Sequence, residues 1–141
     1  TPYGDGLFST DQEIKIHEAT IMDWVPQGRA SWLNVHRRSQ ETILNWIYQA
    51  GHTDRFARRL TKYDILDLED VRLWSVYETL YFLFMSFQNS ENDVFKEKAQ
   101  YYEKQMLAAR NTALLKLDKN KTGKVEDAKR VNTGGGLLFR R

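Results

Sequence analysis

The sequence predicts a mainly α-helical chain: a small antiparallel helix bundle, then a short C-terminal β-hairpin or loop and an extended C-terminal tail. Three observations lead there. Apolar residues recur at three- and four-residue steps over 31–50 and again over 94–113, the spacing that lines one face of a helix. Only two prolines occur in 141 residues, so long stretches are free to be helical. From Leu114 the pattern changes to short alternating arms around turn formers, and three glycines follow. The division expected is an N-terminal arm or irregular segment over 1–30, a helical bundle over 31–113, a hairpin or loop over 114–131 and a flexible docking tail over 132–141.

Taken in order, residues 13–17 (EIKIH) alternate like a strand, with a short helix entered through Ser9 or Thr10 as the alternative. Pro26 and Gly28 then break the chain. Ser31 is the expected N-cap of a helix over 31–50, with Trp32, Val35, Ser39, Ile43, Trp46, Ile47 and Ala50 on its inner stripe and Gly51 as its αL stop. Arg37, Arg38, Gln40 and Glu41 fall on the outer face. Residues 52–60 read as a short helix capped by Thr53, with Phe56 and Leu60 turned inward, and 61–67 as a connector. Asp67 is the next expected cap, with Glu69 and Asp70 at the positive end of the helix dipole. The helix that follows, to Phe87, is apolar nearly all round and must be covered on most sides, by its own chain or by neighbouring subunits. Residues 88–93 form a turn in which Ser90 caps a second long helix, striped by Val94, Tyr101, Tyr102, Met106, Ala109 and Ala113. So short a connection implies antiparallel packing.

Composition bounds the function classes. The balance of 41% hydrophobic and 28% charged residues is that of a globular domain. Without cysteine there is no disulfide framework and no thiolate chemistry. No secretory signal is expected, and the most apolar run, 80–87, falls far short of the ~20 residues that span a bilayer, so no membrane partner is expected. A net charge of +2 is too weak for a free-standing nucleic-acid binder, but it is unevenly spread. Residues 96–141 hold 12 Lys/Arg against 5 Asp/Glu, and residues 1–95 hold 9 against 14. A basic end suits an acidic partner surface or a polyanion, or is a solvated face.

Catalytic patterns are absent. There is no GxSxG, no P-loop and no Rossmann glycine pattern, so no enzyme activity and no cofactor are expected. His17, His36 and His52 form no helical metal-binding pair, and His52 with Asp54 is a lone pair of residues better read as surface or capping groups. Residues 118–129 touch the calcium-loop template through Asp118, Asn120, Thr122, Gly123 and Glu126, but Lys129 stands where a bidentate glutamate is needed, so no metal is expected. Arg55, Arg58 and Arg59, with Arg37 and Arg38, are candidates for inter-subunit or polyanion contacts; the acidic body favours a solvated face paired to Asp54 and Asp64. The stretch NTGGGLLFRR offers Gly134, Gly135 and Gly136 as a tether, Leu137, Leu138 and Phe139 as an apolar anchor and Arg140 and Arg141 as carboxylate partners. It is expected to dock on a partner or a neighbouring subunit.

A resemblance accompanies these readings. The run VRLWSVYETLYFLFMSF, the turn NSENDVF, the helix carrying KAQYYEKQM and the turn LDKNKTGKVED leading to an arginine-ended tail resemble the head–tail connector (adaptor, or head-completion) proteins of tailed bacteriophages. The likeness covers about 68–141 and, more loosely, 31–50. It implies a virion structural protein, assembled in the host cytoplasm as a ring of usually twelve copies under the portal. Its partners would be the portal protein, a neck or tail-terminator protein, other copies of itself and, transiently, genomic DNA. The alternative class is a cytoplasmic helical interaction module or regulator docking through its tail. A small nucleic-acid binder is a third class, resting on the basic end alone.

Overall fold

The computed structural model describes residues 7–65, 68–88, 93–117 and 127–130. Over these residues the chain is mainly helical. α1 spans Asp11–His17, α2 Leu33–Gln49, α3 Glu69–Phe87 and α4 Asp93–Thr112, with 3-10 turns at Ile21–Trp24 and Lys62–Asp64. Two short strands, β1 (Leu114–Leu117) and β2 (Asp127–Arg130), lie antiparallel, with Leu114 opposite Arg130 and Leu117 opposite Asp127.

α3 is the spine, as its all-round apolar sequence requires. Along α4 its partners come in reverse order: Phe87 meets Phe95, Phe84 meets Phe95 and Tyr102, and Tyr77 stacks on Tyr102. α2 also runs antiparallel to it. Trp46 meets Trp74 edge-on, the Ser39 and Thr79 hydroxyls share a hydrogen bond of 2.7 Å, and Arg38 lies over the Phe82 ring at 4.1 Å. Two apolar clusters fill the space between. One gathers Phe8, Ile43, Ile47, Leu60, Val71, Trp74 and Met106 towards the start of α3; the other gathers Ile14, Ile21, Trp32, Leu80, Leu83 and Tyr102 towards its end. Among the described residues no helix is long and apolar enough to cross a membrane.

The first thirty residues differ from the arm or irregular segment expected, over their described part. Of the two readings of EIKIH, the helix is the one formed. Thr10 caps it, its amide donating to Glu13 Oε1 at 2.8 Å in a capping box. Helix wins over strand because Ile14 is needed in the core while Ile16 is not: one is fully buried, the other 81% exposed. Ahead of the helix, Phe8 is fully buried in the first cluster. Behind it, Glu18 accepts from Lys98 Nζ at 2.6 Å and from the Tyr102 hydroxyl, tying this segment to α4.

Other local expectations are corrected. Ser31 does not cap α2; its hydroxyl donates to Asp11 at 2.7 Å, and Trp32 holds the N-cap position. Gln40, expected outside, is buried, while Val94 and Tyr101, expected inside α4's stripe, are exposed. Leu68 takes the N-cap position of α3; the predicted caps Asp67 and Ser90 lie outside the described residues.

Residues 52–60 are not a helix. Thr53 and Arg59 form an isolated antiparallel bridge, and between them the Asp54 carboxylate accepts from the amides of Phe56 and Arg58 at 2.8 and 2.9 Å. A short side chain that captures nearby amides offers the backbone an alternative to helix, and here it wins. Ala57 adopts φ +63°, which a helix cannot contain. Leu60 is buried as predicted, but Phe56 points outward and is 60% exposed.

Candidate functional site

Four side chains from three parts of the chain meet where the N-terminal segment enters the bundle. His36 Nε2 donates to Asp11 Oδ1 at 3.0 Å, and His36 Nδ1 lies 2.7 Å from Ser9 Oγ. Ser9 Oγ in turn lies 2.7 Å from Ser75 Oγ. Burial disfavours the Asp11 charge, but bonds from the His36 ring, the Ser31 hydroxyl and the Trp32 amide outweigh it and hold the carboxyl below its usual value. The residue types are those of a nucleophilic triad, but the arrangement does not serve that chemistry. Ser9, His36 and Ser75 are all buried, and the Ser9 hydroxyl is shared between the His36 ring and the Ser75 hydroxyl. The group acts as a clamp joining the N-terminal segment to α2 and α3. Its worth is expected to be acid-sensitive. A carboxyl whose pKa is depressed on folding stabilises the fold above its unfolded pKa, and that contribution is lost as pH falls through the folded value. Asp11→Asn should therefore cost about 1–3 kcal/mol at pH 7, and the deficit should shrink as urea melts are repeated towards pH 3.

A second ionisable carboxyl is buried between α2, α3 and α4. Burial raises the Glu78 carboxyl to about 7, against the opposing pull of the Trp74 indole and of Arg110 and Arg38. Arg110, whose own pKa burial lowers, lies over the Trp46 ring at 4.3 Å.

The five candidate arginines do not form one patch. Arg38 serves the α2–α3 seam, against Phe82 and facing Glu78. Arg37 is exposed on α2, one turn before Glu41. Arg59 reaches back to α2, donating to Asn45 Oδ1 at 2.6 Å and pairing with Glu41 at 3.0 Å. Arg58 pairs with Asp54 at 3.2 Å, and the Arg58 amide is the main reason the Asp54 carboxyl is held low. Arg55 and Arg58 both lie on the exposed Phe56 ring, at 4.7 and 4.8 Å. This loop presents a guanidinium-flanked aromatic ring to solvent. Phe56 departs from the inward placement that periodicity predicts because the Asp54 carboxylate sets the turn there.

A groove was missed as well. It lies between α1, the start of α3 and the foot of α4, lined by Glu13, Ile16, His17, Glu69, Arg72, Leu73, Val76, Ala109, Thr112 and Ala113, with a volume of about 320 Å³. Arg72 pairs with Glu13 at 3.4 Å and with Glu69 at 3.1 Å across it. The exposed Ile16 was the available signal, an isoleucine that α1 has no core use for. Among the described residues no group of three His, Cys, Asp or Glu side chains is placed to hold a metal ion. The calcium-like turn at 118–126 and the docking residues Gly134, Gly135, Gly136, Leu137, Leu138, Phe139, Arg140 and Arg141 lie outside the described residues. Compared with protein-family models, curated proteins and solved structures, the chain finds no match.

Proposed function

We propose that this chain is a structural head–tail connector (adaptor) protein of a tailed-phage virion. It assembles as a ring that joins the portal to the neck or tail and lines the DNA channel. In this reading β1 and β2 belong to one hairpin closed through 118–126, and residues 132–141 are the tail that docks on the portal. The observation that carries the reading is the register of the strands. Arg130, the last residue of β2, lies opposite Leu114, beside the end of α4, so β2 ends at one end of the bundle. An anchor needs such an exit, followed by a glycine tether and an apolar triplet. Repetition around a ring would turn a weak clip into a firm joint. The exposed Val94, Tyr101 and Met85 on the outer faces of α3 and α4 give neighbouring copies something apolar to cover. The acidic body suits a channel through which DNA slides without being gripped.

Negative-stain imaging of the protein mixed with its candidate portal tests this, with the full chain beside a truncation ending at Thr133. The expected result is an added ring layer with the full chain only. A layer in both samples would remove the anchor role of the tail. A layer in neither would move the interaction-module reading to first place.

A further inference from the structure

The groove between α1 and the foot of α4 has an occupant within reach. Its floor is Val76 and Ala113, both buried, and its upper wall is Ile16 and Leu73, exposed at 81% and 47%. Apolar side chains held this far open to water leave burial energy unused. The rim carries two carboxylates, Glu13 and Glu69, against the one guanidinium of Arg72. At about 320 Å³ the groove sits at the small end of ligand sites, ~300–1,000 Å³. It suits a few side chains of an extended segment rather than a domain.

The register of the two strands decides which segment. Ala113 lines the groove, Leu114 follows it, and Arg130 is the partner of Leu114. β2 therefore ends beside the groove, and residues 131–141 follow it in the sequence. Leu137 lies seven residues beyond Arg130, a span of up to about 24 Å at ~3.4 Å per residue. Gly134, Gly135 and Gly136 allow the turn back. Leu137, Leu138 and Phe139 match the apolar wall, and Arg140 and Arg141 match the carboxylate rim.

We infer that, before assembly, residues 137–141 dock into the groove between α1, α3 and the foot of α4 of their own chain. The contact hides the apolar triplet and is exchanged for the partner's surface on assembly. This rests on the reading of 134–141 as the docking element and adds its resting place.

The full-length chain tests it. The protein has no cysteine, so Arg141→Cys accepts a single nitroxide label. The expected result is a strong loss of methyl signal intensity at Ile16, Leu73 and Val76, unchanged on dilution. Met85, twelve residues beyond Leu73 and ~18 Å along α3, should keep its signal. Ile16→Asp, a change at an exposed site, should restore the signals of Leu73 and Val76, as should Leu137→Ser in the segment itself. Uniform loss at Leu73 and Met85, or no loss at either, would overturn the inference. So would loss appearing only when isotope-labelled and spin-labelled chains are mixed, since the occupant would then be a second copy's segment. A ring layer on the portal without the selective loss keeps the connector reading and removes this inference. Selective loss without a ring layer does the reverse.

Discussion

Phe8→Ala is expected to lower the unfolding free energy by about 3–5 kcal/mol, the cost of emptying a fully buried aromatic site. Phe8 is 0% exposed and shares a cluster with Ile43, Ile47, Leu60, Val71 and Trp74, so its ring touches the set that joins α2 to α3. The surrounding side chains belong to elements fixed from several directions and can close only part of the space. The same variant tests whether the segment before α1 belongs to the fold. Urea melts should show a lower midpoint with an unchanged slope. A loss below about 1 kcal/mol would mean that this segment is an appendage and that the bundle holds without it.

Glu78→Gln is expected to act in the opposite direction and only above mildly acidic pH. The folded carboxyl titrates at about 7 against an ordinary 4.5, so the folded state keeps a proton that the unfolded chain gives up. The stability linked to this group is complete below about 4.5 and is lost as pH rises through about 7. At 1.36 kcal/mol per pH unit the loss approaches about 3 kcal/mol. Glutamine has nearly the same shape and cannot ionise. The variant should match the parent near pH 4.5 and exceed it by roughly 2–3 kcal/mol at pH 8.5. The groups that face Glu78, Arg38 from α2 and Arg110 from α4, remain in both proteins, so the comparison isolates the carboxyl. Parallel stability curves for the two proteins between pH 4.5 and 8 would sink the assignment. The Asp11 clamp loses its contribution at lower pH, and the two effects can be separated in one titration.

The outcomes for particular residues mark where sequence reasoning holds. The three long helices follow from apolar spacing, and the antiparallel pairing of α3 with α4 follows from their short connection, because periodicity and chain length are local properties. Val94 and Tyr101 satisfy the spacing of α4 and are nevertheless exposed. A helix records its own face, but how much of that face is covered depends on where α3 and α1 end. Thr10 was legible as one of two possible caps, whereas Ser31, an equally good cap by type, was drawn off by Asp11. Asp54 shows a purely local competition that outweighs propensity: two amides captured by one carboxylate replace a predicted helical turn and turn Phe56 out to solvent.

The candidate surfaces divide in the same way. By itself the sequence determined a mainly helical chain, an apolar spine that needs covering, an acidic body with a basic end and three glycines followed by an apolar triplet. Each follows from residue type and spacing alone. Tertiary structure decided the rest. It joined Ser9, Asp11, His36 and Ser75 into one clamp, set Glu78 between two arginines, divided five arginines among separate duties and opened a groove beside the end of β2. These features depend on which side chains from distant parts of the chain come within a few ångströms. Hydrogen bonds and desolvation act only at that range, and spacing along the chain does not encode it.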